Sequence, residues 1–255
     1  MESKELIVGQ STELATTSVA DAMDEMGISA KELAIPKVLL MQNTSTFVGD
    51  ERAMFGDLVN SLTADKLGDF KTPMEVLPLQ SYRTWVVYGM ESGQPEYMRT
   101  EPMTAANAEL PWTDVEEGQP IRRDACLNFT VLSVKEIEGG EYFPYVISFR
   151  RTGFQAGKFI ATHLVKQRVF KLPSYNKTIL IGANKEKEGT NTYAVFNAKV
   201  GRAATENERK GCLMWIDLMK KTAVKVDESD LKAPEKVAPA TVATHVVGES
   251  KEELY

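Results

Sequence analysis

Apolar residues recur along this chain with two periods, and the switches between them divide it into strands and helices. Met74 to Met90 (MEVLPLQ, then YRTWVVYGM) is dense in β-branched and aromatic residues and predicts one long bent strand or two short ones. LNFTVLSVKEI and EYFPYVISF flank Gly139-Gly140, and KTILIGANKEK and TNTYAVFNAKV flank Glu188-Gly189. Each pair reads as a hairpin. Between the hairpins, from Thr152 to Phe170, the period lengthens. Phe159, Ile160, His163, Leu164 and Gln167 then share one face of a predicted helix.

Other stretches are read from their punctuation. Leu33–Val48 opens with a Pro-interrupted apolar run, an edge strand or a clip on the core. Thr63–Leu67 predicts a short helix, with Thr63 as N-cap and Gly68 as stop. Glu91–Gln119 is acidic, contains Pro and reads as a long loop. Thr205-Glu206-Asn207-Glu208 fits a capping box that opens a helix over 205–222, with Cys212, Trp215, Ile216 and Met219 as its apolar stripe. Residues 1–33 read as a flexible acidic leader and 227–255 as a disordered acidic tail. The order is then strand, long loop, strand, strand, helix, strand, strand. It predicts an α+β domain over 34–226: a five-stranded OB-like antiparallel barrel with its helix between strands 3 and 4, followed by the C-terminal helix.

Charge sharpens this picture. The 255 residues carry a net charge of −6, yet Tyr142 to Lys185 contains no Asp or Glu and eight Lys or Arg, which leaves −14 for the remainder. The same window holds eight aromatic residues. Cations that track phosphates, interleaved with rings that stack on bases of any identity, are what sequence-independent binding of single-stranded nucleic acid requires. A basic helix face and a buried aromatic core are the structural alternatives.

Catalytic chemistry is poorly supplied. Two histidines, His163 and His245, and two distant cysteines, Cys126 and Cys212, do not assemble a triad, a histidine-rich metal site or a CxxC motif. GFQAGK lacks the Gly-Lys-Ser/Thr ending of a phosphate loop. Asp50, Glu51, Asp57, Asp65 and Asp69 read as turn and helix-end residues rather than metal ligands. No enzymatic activity and no cofactor are expected. No run of apolar residues is long enough to span a membrane, and the N-terminus has no secretory pattern, so a cytoplasmic location is expected.

The candidate DNA-binding residues follow from the window and its neighbours: Arg83, Trp85, Tyr145, Arg150, Arg151, Lys158, Lys166, Arg168, Lys171, Tyr175, Lys177, Lys185, Tyr193, Lys199 and Arg202. Arg150 and Arg151 lead, because the helix of an OB barrel lies away from its oligonucleotide face. The tip of the tail, Glu252, Glu253, Leu254 and Tyr255, is the candidate partner-docking segment, with carboxylates for steering and a ring for a pocket.

Five stretches, IPKVLLMQ, FGDLVNSLT, PMEVLPLQSYRTWVVY, FPYVISFRRTGFQAGKFIATHL and TYAVFNAKVGRAATENERKGCLMW, resemble the phage-encoded single-stranded DNA-binding proteins over roughly residues 35–224. The resemblance implies an OB-like core that binds single-stranded DNA in phage replication or recombination, inside the host cytoplasm. It also implies an acidic C-terminus that contacts replication proteins, though here the tip carries Lys251. Some proteins of this kind recruit an RNA polymerase to DNA, and a transcription cofactor or a single-strand annealing protein, including a homo-oligomer, is the alternative expectation.

Overall fold

The computed structural model describes residues 25–27, 34–90, 93–140, 143–221 and 225–226. In chain order its strands are β1 (Ala34–Ile35), β2 (Lys37–Leu40), β3 (Leu58–Asn60), β4 (Lys66–Gly68), β5 (Met74–Gly89) and β6 (Glu96–Pro102). They continue with β7 (Thr113–Glu116), β8 (Gln119–Ser133), β9 (Pro144–Arg150), β10 (Lys177–Glu188), β11 (Asn191–Ala203) and β12 (Lys225–Val226). The helices are α1 (Thr46–Gly49), α2 (Val134–Glu138), α3 (Phe154–Val169) and α4 (Glu206–Lys221).

Ten strands form one sheet in the order β11-β10-β5-β8-β9-β2-β3-β4, with β6 added to β5 and β7 to β8. β1 and β12 make a separate parallel pair. The long strands β5 and β8 are the spine, antiparallel from Val76–Ser133 to Gly89–Ile121. This corrects the expected five-stranded OB-like barrel. The sheet is mixed, since β2 runs parallel to β9, and it curls as a half-barrel. The outer edge of β11 nevertheless comes back to the end of β2. There the Gln42 side-chain amide donates to the Ala194 carbonyl at 2.9 Å and accepts from the Ala194 N–H at 2.9 Å. One side chain stands where ladder bonds would close a barrel.

The missing strands came from segments whose pattern hides them. β2 lies inside the sheet, not at its edge. The expected helix at Thr63–Leu67 is instead a turn leading into β4. Ala64 sits at φ 63, and the Thr63 hydroxyl donates to Asp65 at 2.5 Å. Lys66 bridges Asp57 and Asp69, each at 2.8 Å, while Asp69 accepts from the Lys71 and Thr72 N–H groups. The acidic segment after Glu91 is no loop either: it contributes β6 and β7. Their carboxylates are neutralised by arginines, with Arg99 on Glu101 and Glu116, and Arg123 on Asp114 and Glu116. Such pairing lets charged residues occupy strands without the alternation that reveals a half-buried one.

Two cores lie on opposite faces of the spine. On one, Phe129, Phe149 and Phe196 meet edge to face at 5.7 and 5.1 Å between centroids, among Val76, Val131, Ile147, Ile179 and Ile181. Helix α3 closes this face with Ala156, Gly157 and Ile160. Gly157 is required there, because a Cβ would lie 2.8 Å from the Phe149 Cβ. On the other face, Leu77, Leu79 and Leu132 meet α2 and the Cys212 and Trp215 stripe of α4. The capping box forms as expected: the Thr205 N–H donates to Glu208 at 2.7 Å, and the Glu208 N–H to the Thr205 hydroxyl at 3.4 Å.

Candidate nucleic-acid interface

The basic segment is contiguous in sequence but divided in space. At the end of β9, alternation sends Phe149 into the core beneath α3 and Arg150 to the opposite face of the sheet. Arg151 then takes a left-handed backbone at φ 49, and the chain turns through a short 3-10 segment into α3. Two separate cationic surfaces result.

The first is the outward face of α3. Lys158, Thr162, Val165 and Val169 align along it at helical spacing, with Phe159 and Lys166 on the adjacent stripe. Phe170 caps the helix and Lys171 and Leu172 follow. Phe159 is 44% exposed, Val165 62%, Val169 72% and Phe170 74%, so the rings and the aliphatic residues between them face solvent. Among the described residues, Lys158, Lys166, Arg168 and Lys171 form no ion pair, and Lys158 lies 5.2 Å from the centre of the Phe154 ring. His163 is half-buried at the side of this helix, and its Nε2 shares a 2.9 Å hydrogen bond with Gln167. Burial, with Lys177 and Lys166 nearby, holds its pKa below the usual value.

The second surface gathers Arg122, Arg150 and Arg151 around Tyr88 and Asp124 on the opposite side of the sheet. Tyr88 and Arg122 are direct cross-strand partners, as are Cys126 and Arg150. Arg150 donates to the Tyr88 hydroxyl. The Arg122 and Arg151 guanidinium groups stand 5.2 and 5.6 Å from the centre of the Tyr88 ring. Arg151 Nε donates to Asp124 at 2.6 Å, and Arg122 donates to the same carboxylate from Nη2 at 3.5 Å while its Nε, 3.3 Å away, is not aligned to donate. Burial pushes the Asp124 carboxyl up, while Arg122 and Arg150 draw it down. Burial likewise raises the Cys126 thiol against the pull of Arg150 and Lys37.

The remaining sequence-predicted residues are scattered. Trp85 is buried, packs with Val87 and Ile121 and donates from Nε1 to the Asn107 carbonyl at 2.9 Å, so it offers no face to a base. Tyr145 is buried too, its hydroxyl donating to Glu136; burial and that carboxylate raise its pKa. Tyr175 is half-buried against the Cys212 and Trp215 core, with its phenol pushed up by burial. Arg202 is bound to Glu208 at 2.5 Å and to Glu75 at 3.4 Å, so it anchors α4. Tyr193 donates to Glu186 at 3.4 Å. Arg83, Lys177, Lys185 and Lys199 are exposed on β5, β10 and β11, with Lys185 5.9 Å from the Phe55 ring centre. Glu252, Glu253, Leu254 and Tyr255 lie outside the described residues, as does the leader apart from Glu25–Gly27.

Sequence reasoning missed Tyr88, Arg122 and Asp124 and left Phe159 and Phe170 in doubt. Arg122 falls outside the acid-free window because Asp124, Glu136, Glu138 and Glu141 lie between them. Arg122-Arg123-Asp124 nevertheless carries a signal, since strand alternation sends Arg122 and Asp124 to one face and Arg123 to the other. Arg123 is indeed buried there with Asp114 and Glu116.

This combination, a curled mixed sheet with one cationic helix face and one arginine cluster, occurs in a phage protein. The chain belongs to the Pam3 phage gp34-like protein family, whose model matches residues 9–211. No curated protein and no solved structure gives a significant match. Among the described residues, no helix is long and apolar enough to cross a membrane.

Proposed function

We propose that the protein binds single-stranded DNA with little regard to sequence, in the replication or recombination of phage DNA. The observation that carries this reading is α3 with its C-terminal turn, where four cations that form no ion pair among the described residues accompany two exposed phenylalanine rings. Phe159 and Phe170 are separated by eleven residues, about 16 Å along a helix axis. Each ring accepts any base, at about 1–3 kcal/mol per stacked base. Lys158, Lys166, Arg168 and Lys171 meet phosphates between and beyond them. The resemblance to phage single-stranded DNA-binding proteins supports the same reading without the OB-like core. Ring exposure also reverses the order of the candidates, because the helix segment carries the exposed rings while Trp85 and Tyr145 in the sheet are buried.

The test is titration of a labelled oligo-dT at several salt concentrations. With four phosphates neutralised, the logarithm of affinity is expected to fall with the logarithm of salt at a slope of about −3. Binding that is absent at low salt, or indifferent to salt, contradicts the proposal. Mg²⁺-dependent loss of the oligonucleotide would instead identify a nuclease.

A further inference from the structure

The arginine cluster is not needed for the helix surface to hold a strand, and its own charge balance calls for a ligand. Three guanidinium groups, Arg122, Arg150 and Arg151, converge on one phenol and one carboxylate. Asp124 serves Arg151 and Arg122. Arg150 is met by the Tyr88 hydroxyl, a neutral group, and among the described residues no carboxylate pairs with it. Two positive charges are left over in a partly desolvated place, where like charges repel more strongly than in water. The arrangement is also fixed before any ligand arrives: Tyr88 orders all three arginines, through its ring and through its hydroxyl. The left-handed backbone at Arg151, φ 49 at a residue with a Cβ, holds that side chain against Asp124. Arg151 is half exposed, so the cluster opens to solvent on its side.

We propose that Arg122, Arg150 and Arg151 form a phosphate-binding site on the sheet face opposite α3, with Asp124 as its internal counter-ion. A phosphate group supplies the two negative charges that are lacking. Guanidinium forks match its oxygens, so exchange of water for the anion restores charge balance without rebuilding the site. The ligand is a free phosphate ion or the terminal phosphate of a nucleic-acid strand, which share this chemistry.

Calorimetric titration of the full chain in phosphate-free and sulfate-free buffer tests the site with three probes. These are inorganic phosphate, oligo-dT with a 5′-phosphate and oligo-dT with a 5′-hydroxyl. Saturable binding of inorganic phosphate assigns a small ion, and a gain confined to the 5′-phosphorylated strand assigns the strand end. In either case Arg151→Gln and Arg122→Gln are expected to weaken that binding at least about tenfold, with melting temperatures near that of the native chain. Phe170→Ala is expected to leave it unchanged. No arginine-dependent binding of any probe overturns the site. Its failure is separable from that of the strand-binding proposal, which is read from the 5′-hydroxyl oligonucleotide and from Phe170→Ala.

Discussion

The two cationic surfaces are built from neighbouring residues yet obey different physics. On α3 the cations are long, exposed and without ion pairs among the described residues, and the Phe159 and Phe170 rings beside them face solvent. Around Tyr88 the arginines are held by a ring, a hydroxyl and a buried carboxylate, in one geometry. A flexible charged face tracks a polyanion of any sequence and is strongly screened by salt. A fixed arginine cluster selects one compact anion and is screened less, because part of it lies out of water. Strand alternation at Phe149-Arg150 makes the division, within a single peptide bond.

The largest expected effect comes from removing that divider. Phe149 is fully buried between Phe129, Phe196 and α3. Phe149→Ala is expected to cost about 3–5 kcal/mol, read by denaturant unfolding, and to loosen both surfaces together. Gly157→Val is the more selective break. Its side chain collides with Phe149 and Leu127, so about 1–3 kcal/mol is expected to be lost. Oligonucleotide affinity falls with the displaced helix.

Next in size, Phe170→Ala removes an exposed ring without opening a cavity. A loss of about 1–3 kcal/mol in oligo-dT binding is expected, with an unchanged melting temperature. A third region sharpens the comparison through acid. Arg202, a candidate strand contact by sequence, holds Glu208 below its usual 4.5. Glu208 is charged in the fold at pH values where the unfolded chain has begun to bind its proton. The contribution of this pair is therefore complete above pH 4.5 and is lost as pH falls through the lowered value of the folded state. Melting curves between pH 6 and pH 3 are expected to show this loss, and Glu208→Gln to reduce it.

Much of the framework was legible in the residues. The β5 run, the hairpin at Glu188-Gly189, helix α3 and the capped helix α4 follow from apolar period, glycine turns and the Thr205–Glu208 box. The strands flanking Gly139-Gly140 do pair, but Val134–Glu138, read as strand, is helix α2. The architecture was not, because β2 to β4 are interrupted by Pro36 and Gly56, and β6 and β7 carry acids that arginines neutralise only once the sheet has formed. The sites were half legible. The acid-free window marked Arg150, Arg151 and the α3 cations as a charge anomaly. It could not say which rings stay outside, since the burial of Tyr145 depends on tertiary neighbours such as Glu136 of α2, and the exposure of Phe170 on where α3 packs. Arg122 and Tyr88 join Arg151 through a cross-strand register that no local pattern announces.

The proposal that the α3 face holds single-stranded DNA is tested most directly by the salt dependence of oligo-dT binding in the native chain and in the Lys166→Gln/Lys171→Gln double variant. The native slope is expected near −3, falling to about −1.5 when two of four phosphate contacts are removed. Equal slopes for the two proteins, or no binding at low salt, would contradict the account.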